Sequence, residues 1–336
     1  MINNQSLANA IFELTSVMPV RTEPHFSQKK EVAPEIRRAI LRLESFLRYF
    51  SKMVTAPDAA TLLVAVDKLQ SQYRVMSEPP ASVMAKSETT IDDPLVVDIV
   101  IPFRAGVSKH NEQELRFALR SIERHLQGYR NIIVVTNSPP EWLQKVTVIS
   151  VSDDSRKNIN LFRKRIAAAE ASDADYNLYW CDDYVLLRDL RASMISALTC
   201  GRDMASYAGD KVWHQCLRAT AAALNAHGKT ALHCESHTPS LTDRKKFLEL
   251  AEVFKVERET EPGLTVCGLY HNYYGSPMLP MDKFKATFEN DAGGVEKVAA
   301  QCAGKIFLGY NDSGFESGVL EYLSQLFPTP SRFESL

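Results

Sequence analysis

Between residues 95 and 181, short β-branched runs alternate with segments of helical period, and this narrows the available folds more than any other feature. Residues 95–102 (LVVDIVIP) read as a buried strand stopped by proline. A helix is expected over 111–126, with Leu115, Ala118, Leu119 and Ile122 turned inward. Residues 131–136 (NIIVVT) and 146–151 (VTVISV) read as two further strands. They are followed by a helix over 159–171 and a strand over 176–181 (YNLYWC). Strand–helix alternation of this kind points to an α/β fold, a mostly parallel central sheet with helices on its faces.

Residues 1–93 carry a different pattern and are expected to form a helical extension and linker ahead of a domain over 94–336. Ile36, Ile40, Leu43, Leu47 and Phe50 recur at helical spacing, with Arg37, Arg38, Arg42 and Arg48 filling much of the remaining surface. Leu62, Val66, Leu69 and Tyr73 form a second such stripe, and 77–94 is rich in Pro, Ser, Glu and Asp. With 336 residues and a formal charge of −2, the chain carries no global demand for nucleic acid or an anionic membrane. Nothing in it is long and apolar enough to span a bilayer, and its start does not read as a secretory signal, so the expectation is a cytoplasmic protein without membrane insertion. Six scattered cysteines with no CxxC pair suit reduced thiols rather than a disulfide or zinc framework.

Parallel sheets bind ligands beyond the carboxyl ends of their strands, which directs attention to Arg104, Asp153 and Asp154, and Asp182 and Asp183. Adjacent carboxylates at the end of a buried strand repel each other unless a cation stands near them. Mg²⁺ or Mn²⁺, held by one or two carboxylates and substrate phosphates, would relieve that repulsion; a solvated Asp-Asp turn is the structural alternative. Asp153, Lys157 and Asn158 open a helix and could contact a nucleotide, or serve only as its capped, solvated start. His233, Glu235 and His237 fall at alternating positions, so in an extended segment all three would face one way. Glu235 is then a candidate catalytic base, and His237 a candidate metal ligand, as is His271 in Tyr270-His-Asn-Tyr-Tyr-Gly275. Near the end of the chain, Asp312 or Ser313 is expected to cap a helix over 315–326, with the role of Glu316 open.

Several of these segments resemble the GT-A nucleotide-sugar glycosyltransferases, in particular a bacterial and phage branch. They are Asp98-Ile-Val-Ile-Pro102-Phe-Arg104, the helix from Glu114 to Glu123, Tyr129-Arg-Asn-Ile-Ile-Val-Val-Thr136, and Trp180-Cys-Asp182-Asp183-Tyr184-Val-Leu-Leu187. The last is similar to an Asn-Asp-Asp-x-Phe-Leu signature, with Cys181 in place of the Asn. His233-Cys-Glu-Ser-His237-Thr-Pro239 and Phe327-Pro-Thr-Pro-Ser-Arg-Phe-Glu334 extend the likeness to about residues 95–334. The resemblance implies a GT-A fold and a metal-dependent transferase in which Asp182 and Asp183 anchor Mn²⁺ or Mg²⁺ on the diphosphate of a nucleotide sugar, a UDP-sugar in the first instance. Arg104, Asp153, Lys157 and Asn158 would serve the nucleotide. Two acceptors fit: a hydroxymethylated base in phage DNA, which the arginine-rich extension favours, and a cell-surface or capsular glycan. Sugar-phosphate transfer and a non-catalytic carbohydrate-binding relative are the neighbouring readings.

Overall fold

The computed structural model describes residues 95–106 and 110–335. The chain divides into two units, 1–93 and 94–336, so the two helices and the arginines expected in the first lie outside the described residues.

The expected alternation is present. Strand β1 (Val97–Pro102) is followed by helix α1 (Gln113–His125), β2 (Ile132–Val135), β3 (Thr147–Ile149), α2 (Lys157–Ala171) and β4 (Tyr176–Tyr179). Strands β1, β2, β3 and β4 pair parallel, in the order β3-β2-β1-β4. Every residue of β1, β2 and β4 is buried, as strands covered on both faces require. Strand β5 (Tyr184–Leu186) then leaves this sheet. Helix α3 (Val212–Ala226) precedes strand β6 (Ser240–Asp243), which closes the β4 edge antiparallel, and α4 (Arg244–Val253) follows directly. Phe162, Phe247 and Phe254 lead the core between these helices and the sheet. The fold is therefore mixed α/β with a mostly parallel central sheet flanked by helices.

A second, smaller sheet is assembled from distant segments. Helix α5 (Val266–Tyr273) is followed by β7 (Lys285–Phe288), α6 (Val295–Cys302), β8 (Phe307–Tyr310) and α7 (Ser317–Leu326). Strand β8 pairs parallel with β7 and antiparallel with β5. Val185, Phe288, Leu308, Phe315 and Leu323 fill the core of this layer together with Phe117 from α1. Ser121 joins the layers: its hydroxyl donates to Ala118 O at 2.8 Å and accepts the Leu186 N–H of β5 at 3.1 Å.

The C-terminal segment is bound to α1. Arg120 donates through Nε and Nη2 to both carboxylate oxygens of Glu334 at 2.8 and 2.7 Å, and Arg116 adds a contact at 2.9 Å. The N–H and hydroxyl of Ser331 also donate to Glu334. Burial by itself would raise this carboxyl, but the hydrogen bonds from Arg120, Ser331 and Arg116 outweigh it and bring it down to about 2. One local expectation is corrected. The last helix starts at Ser317 with no side-chain cap, and the preceding loop closes instead through Asn311 Oδ1, which accepts from Gly314 N–H at 2.8 Å.

Candidate functional site

In the order β3-β2-β1-β4, successive connections run outward from β1 and then reverse to its other side. The crevice where ligands are expected therefore lies between the carboxyl ends of β1 and β4. Arg104 follows β1, and Asp182 and Asp183 follow β4. The aspartates occupy the middle of a tight turn that the Tyr184 N–H closes onto Cys181 O at 3.2 Å. Trp180, fully buried, anchors the turn by donating Nε1–H to Tyr184 O at 2.8 Å. The turn thus marks the point where the chain passes from the large sheet to the small one.

Electrostatically the turn is short of positive charge. Burial first, then the neighbouring Asp183 and Glu114, raise the Asp182 carboxyl to about 7, against a backbone hydrogen bond and the Lys157 charge pulling the other way. Among the described residues, Asp183 Oδ1 is buried and has no hydrogen-bond partner, while Oδ2 lies 3.5 Å from His237 Nδ1, too far for a good hydrogen bond. Among the described residues, no three His, Cys, Asp or Glu side chains form a self-sufficient metal cage. A hard divalent ion that keeps phosphate or water ligands needs only one or two carboxylates, and the unpartnered Asp183 oxygen suits that demand.

Beside the turn, His233, Glu235 and His237 line one cleft of about 170 Å³, together with Trp213, Lys285, Glu289 and Tyr310. The segment expected to be extended is a loop, and His237 sits in the left-handed region at φ 47°. Glu235 Oε1 accepts the Gly268 N–H at 2.6 Å, in the first turn of α5, where backbone N–H groups have no helical partner. His233 Nδ1 pairs with the Tyr207 hydroxyl at 2.5 Å, and its Nε2 is buried without a partner, as is the Tyr310 hydroxyl. Lys285 is 6% exposed and donates to Ser236 O at 2.6 Å; burial pulls its ammonium down to about 8, against the opposing pull of Asp183 and Glu289.

The remaining candidates separate into exposed and committed groups. Arg104 and Lys157 are exposed, at the end of β1 and the start of α2. Asp153 is held by the buried Lys164 at 2.7 Å, and Lys164 also donates to Phe103 O, tying the loop after β3 to the end of β1. Asn158 is 9% exposed, with Nδ2 2.5 Å from Cys216 Sγ in α3. His271 is 3% exposed, its Nε2 within 2.8 Å of Ser240 Oγ, and burial followed by Arg165 holds its pKa down at about 3, so it is neutral. Asn158 Nδ2 and His271 Nε2 are thus already engaged, while among the described residues His271 Nδ1 is buried without a partner. Lys285 and Tyr310 escaped sequence reasoning because their strands give no motif. Their only signal is polar chemistry inside otherwise apolar runs. All six cysteines are free, and among the described residues no helix is long and apolar enough to cross a membrane. The chain matches no protein-family model and no curated protein.

Proposed function

We propose that the protein is a metal-dependent glycosyltransferase that takes a sugar from a nucleotide-sugar donor at the β1/β4 crevice. The observation that carries this reading is the turn at Asp182 and Asp183, two carboxylates at a topological switch point, one with a buried oxygen that has no partner among the described residues. Asp183, with Asp182 beside it, would hold the ion, and His237 stands nearest as a further ligand. When bound, a divalent cation supplies positive charge against the diphosphate leaving group. Arg104 and Lys157 offer exposed cations on the same edge of the sheet for the phosphates. Their exposure makes them attract and orient rather than clamp. On the cleft side, Glu235 is oriented by the Gly268 N–H. In an inverting transfer it takes the proton of the acceptor hydroxyl, while Trp213 and Tyr310 provide flat walls for a ring. The finer GT-A assignment rests on the sequence resemblance together with this placement.

A donor and acceptor screen tests the proposal. The protein is incubated with Mn²⁺, a panel of nucleotide sugars, and either 5-hydroxymethylcytosine DNA or bacterial glycan primers, beside the Asp183→Ala variant. Products are read by mass spectrometry. The expected result is a sugar-sized mass gain on one acceptor, reduced by roughly 10² to 10³ or more in the variant. Transfer that survives Asp183→Ala, or no transfer with nucleotide binding indifferent to it, sinks the reading.

A further inference from the structure

Lys285 spans the small sheet in an unusual way. Its stem lies across β8 at Gly309, where an added Cβ would stand 2.7 Å from Lys285 Cε, 3.0 Å from Nζ and 2.9 Å from His237 O. Only a glycine leaves that passage open. Beyond it, Nζ reaches the carbonyl of Ser236 at 2.6 Å. The next residue is His237, whose left-handed φ of 47° is uncommon for a residue with a side chain and less costly for glycine. The Ser236 and Thr238 hydroxyls bond each other at 2.6 Å across the same residue. The product of this bracing is the placement of the His237 ring 3.5 Å from Asp183.

Energetics argue against a merely structural lysine. An ammonium 6% exposed, with one backbone acceptor and no carboxylate in ion-pair contact among the described residues, costs desolvation that a methionine of similar length would avoid. Strained backbone persists where the surroundings over-determine it, and such places cluster at functional sites. We infer that Lys285 is a positioning residue of the candidate site: passing over Gly309, it holds the Ser236–His237 turn in the left-handed conformation that presents His237 to Asp183. The functional side of this inference rests on the reading of Asp182 and Asp183 as the metal–diphosphate site.

Two measurements on the full chain separate the inference from that reading. The first is a melting cycle of wild type, His237→Gly, Lys285→Met and the double variant. Glycine at 237 is expected to raise the melting temperature of the wild-type background and to give a smaller gain beside Lys285→Met, where the turn is free to relax. Equal gains in both backgrounds overturn the inference. The second is calorimetric binding of UDP with Mn²⁺. Lys285→Met is expected to bind about ten- to hundredfold more weakly, as loss of a supporting contact does at metal sites. Gly309→Ala should behave likewise although it keeps the charge, and it serves alone if Lys285→Met does not fold. Unchanged binding in folded variants overturns the inference. If wild type and Asp183→Ala bind alike or not at all, the metal reading falls, and the melting cycle still decides whether Lys285 sets the turn.

Discussion

Asp98 in the large sheet and Asp183 at the border of the small one are held in opposite ways. Among the described residues the large sheet has unpaired buried groups of its own, the Asn177 amide and the Tyr179 hydroxyl, but its buried charges Asp98 and Lys164 are satisfied. Asp98, 1% exposed, takes Arg130 through two bonds at 3.0 and 2.7 Å and the Ser172 hydroxyl at 2.7 Å, and Lys164 is shared between Asp153 and Phe103 O. Where β4 hands over to the small sheet, Asp183 Oδ1 and the Tyr310 hydroxyl are buried and unpaired among the described residues, and Lys285 spends one of three N–H groups on a carbonyl. A satisfied buried ion pair ties segments together, whereas an unsatisfied cluster is a standing cost that a ligand can remove. The contrast separates charges that build the molecule from charges that await a partner.

Four variants sharpen or break this contrast. Removing a satisfied buried charge should have the largest effect. Glu334→Gln leaves Arg116 and Arg120 without their anion and should cost about 3 to 5 kcal/mol of unfolding free energy in urea titration. The same carboxylate predicts a pH dependence. Its folded pKa of about 2 lies below the ordinary 4.5, so its stabilisation, about 3 kcal/mol, is fully present above the unfolded value and is lost as pH falls from about 5 toward 2. In Glu334→Gln that part of the acid transition should flatten. An unaltered acid limb would show that the C-terminal contact is not stabilising.

Gly314→Ala probes the joint of the small sheet, because its Cβ would stand 1.9 Å from Phe288 O. Backbone must move, and a loss of about 1 to 3 kcal/mol is expected, read as a lower denaturation midpoint. Tyr310→Phe reverses the sign. Deleting a buried hydroxyl without a partner should leave stability equal or raise it by about 1 kcal/mol, while transfer falls. Destabilisation with full activity would mean that the hydroxyl is an ordinary structural group. The smallest effect is assigned to Arg104→Ala with Lys157→Ala. Both are exposed, so nucleotide affinity should drop only a few-fold, and less at high salt.

Much of the large sheet was legible because its signals are local. A β-branched run such as residues 131–136 and an inward stripe such as Leu115, Ala118, Leu119 and Ile122 declare their state within one element. Strand ends then pointed to Arg104, Asp182 and Asp183, and the structure sets all three at the ends of β1 and β4. Asn158 and His271 show what residue type does not report. Their residue types suited ligand contact, yet each is buried against a partner far along the chain, Cys216 for one and Ser240 for the other. Periodicity cannot report a contact of that kind.

From the chain alone came the alternation of strand and helix, the carboxylate pair closing the fourth strand, and the scatter of six cysteines without a CxxC pair. These follow from neighbours within a few residues, where backbone preference and apolar period act directly. Tertiary structure alone decided that β5 pairs with β8, more than a hundred positions later, and that Lys285 passes over Gly309 to brace His237. It also decided that Glu334 seals α1 through two arginines. Such contacts exist only once loop-closure entropy has been offset by the packing of a whole core, and no short window of sequence carries that balance.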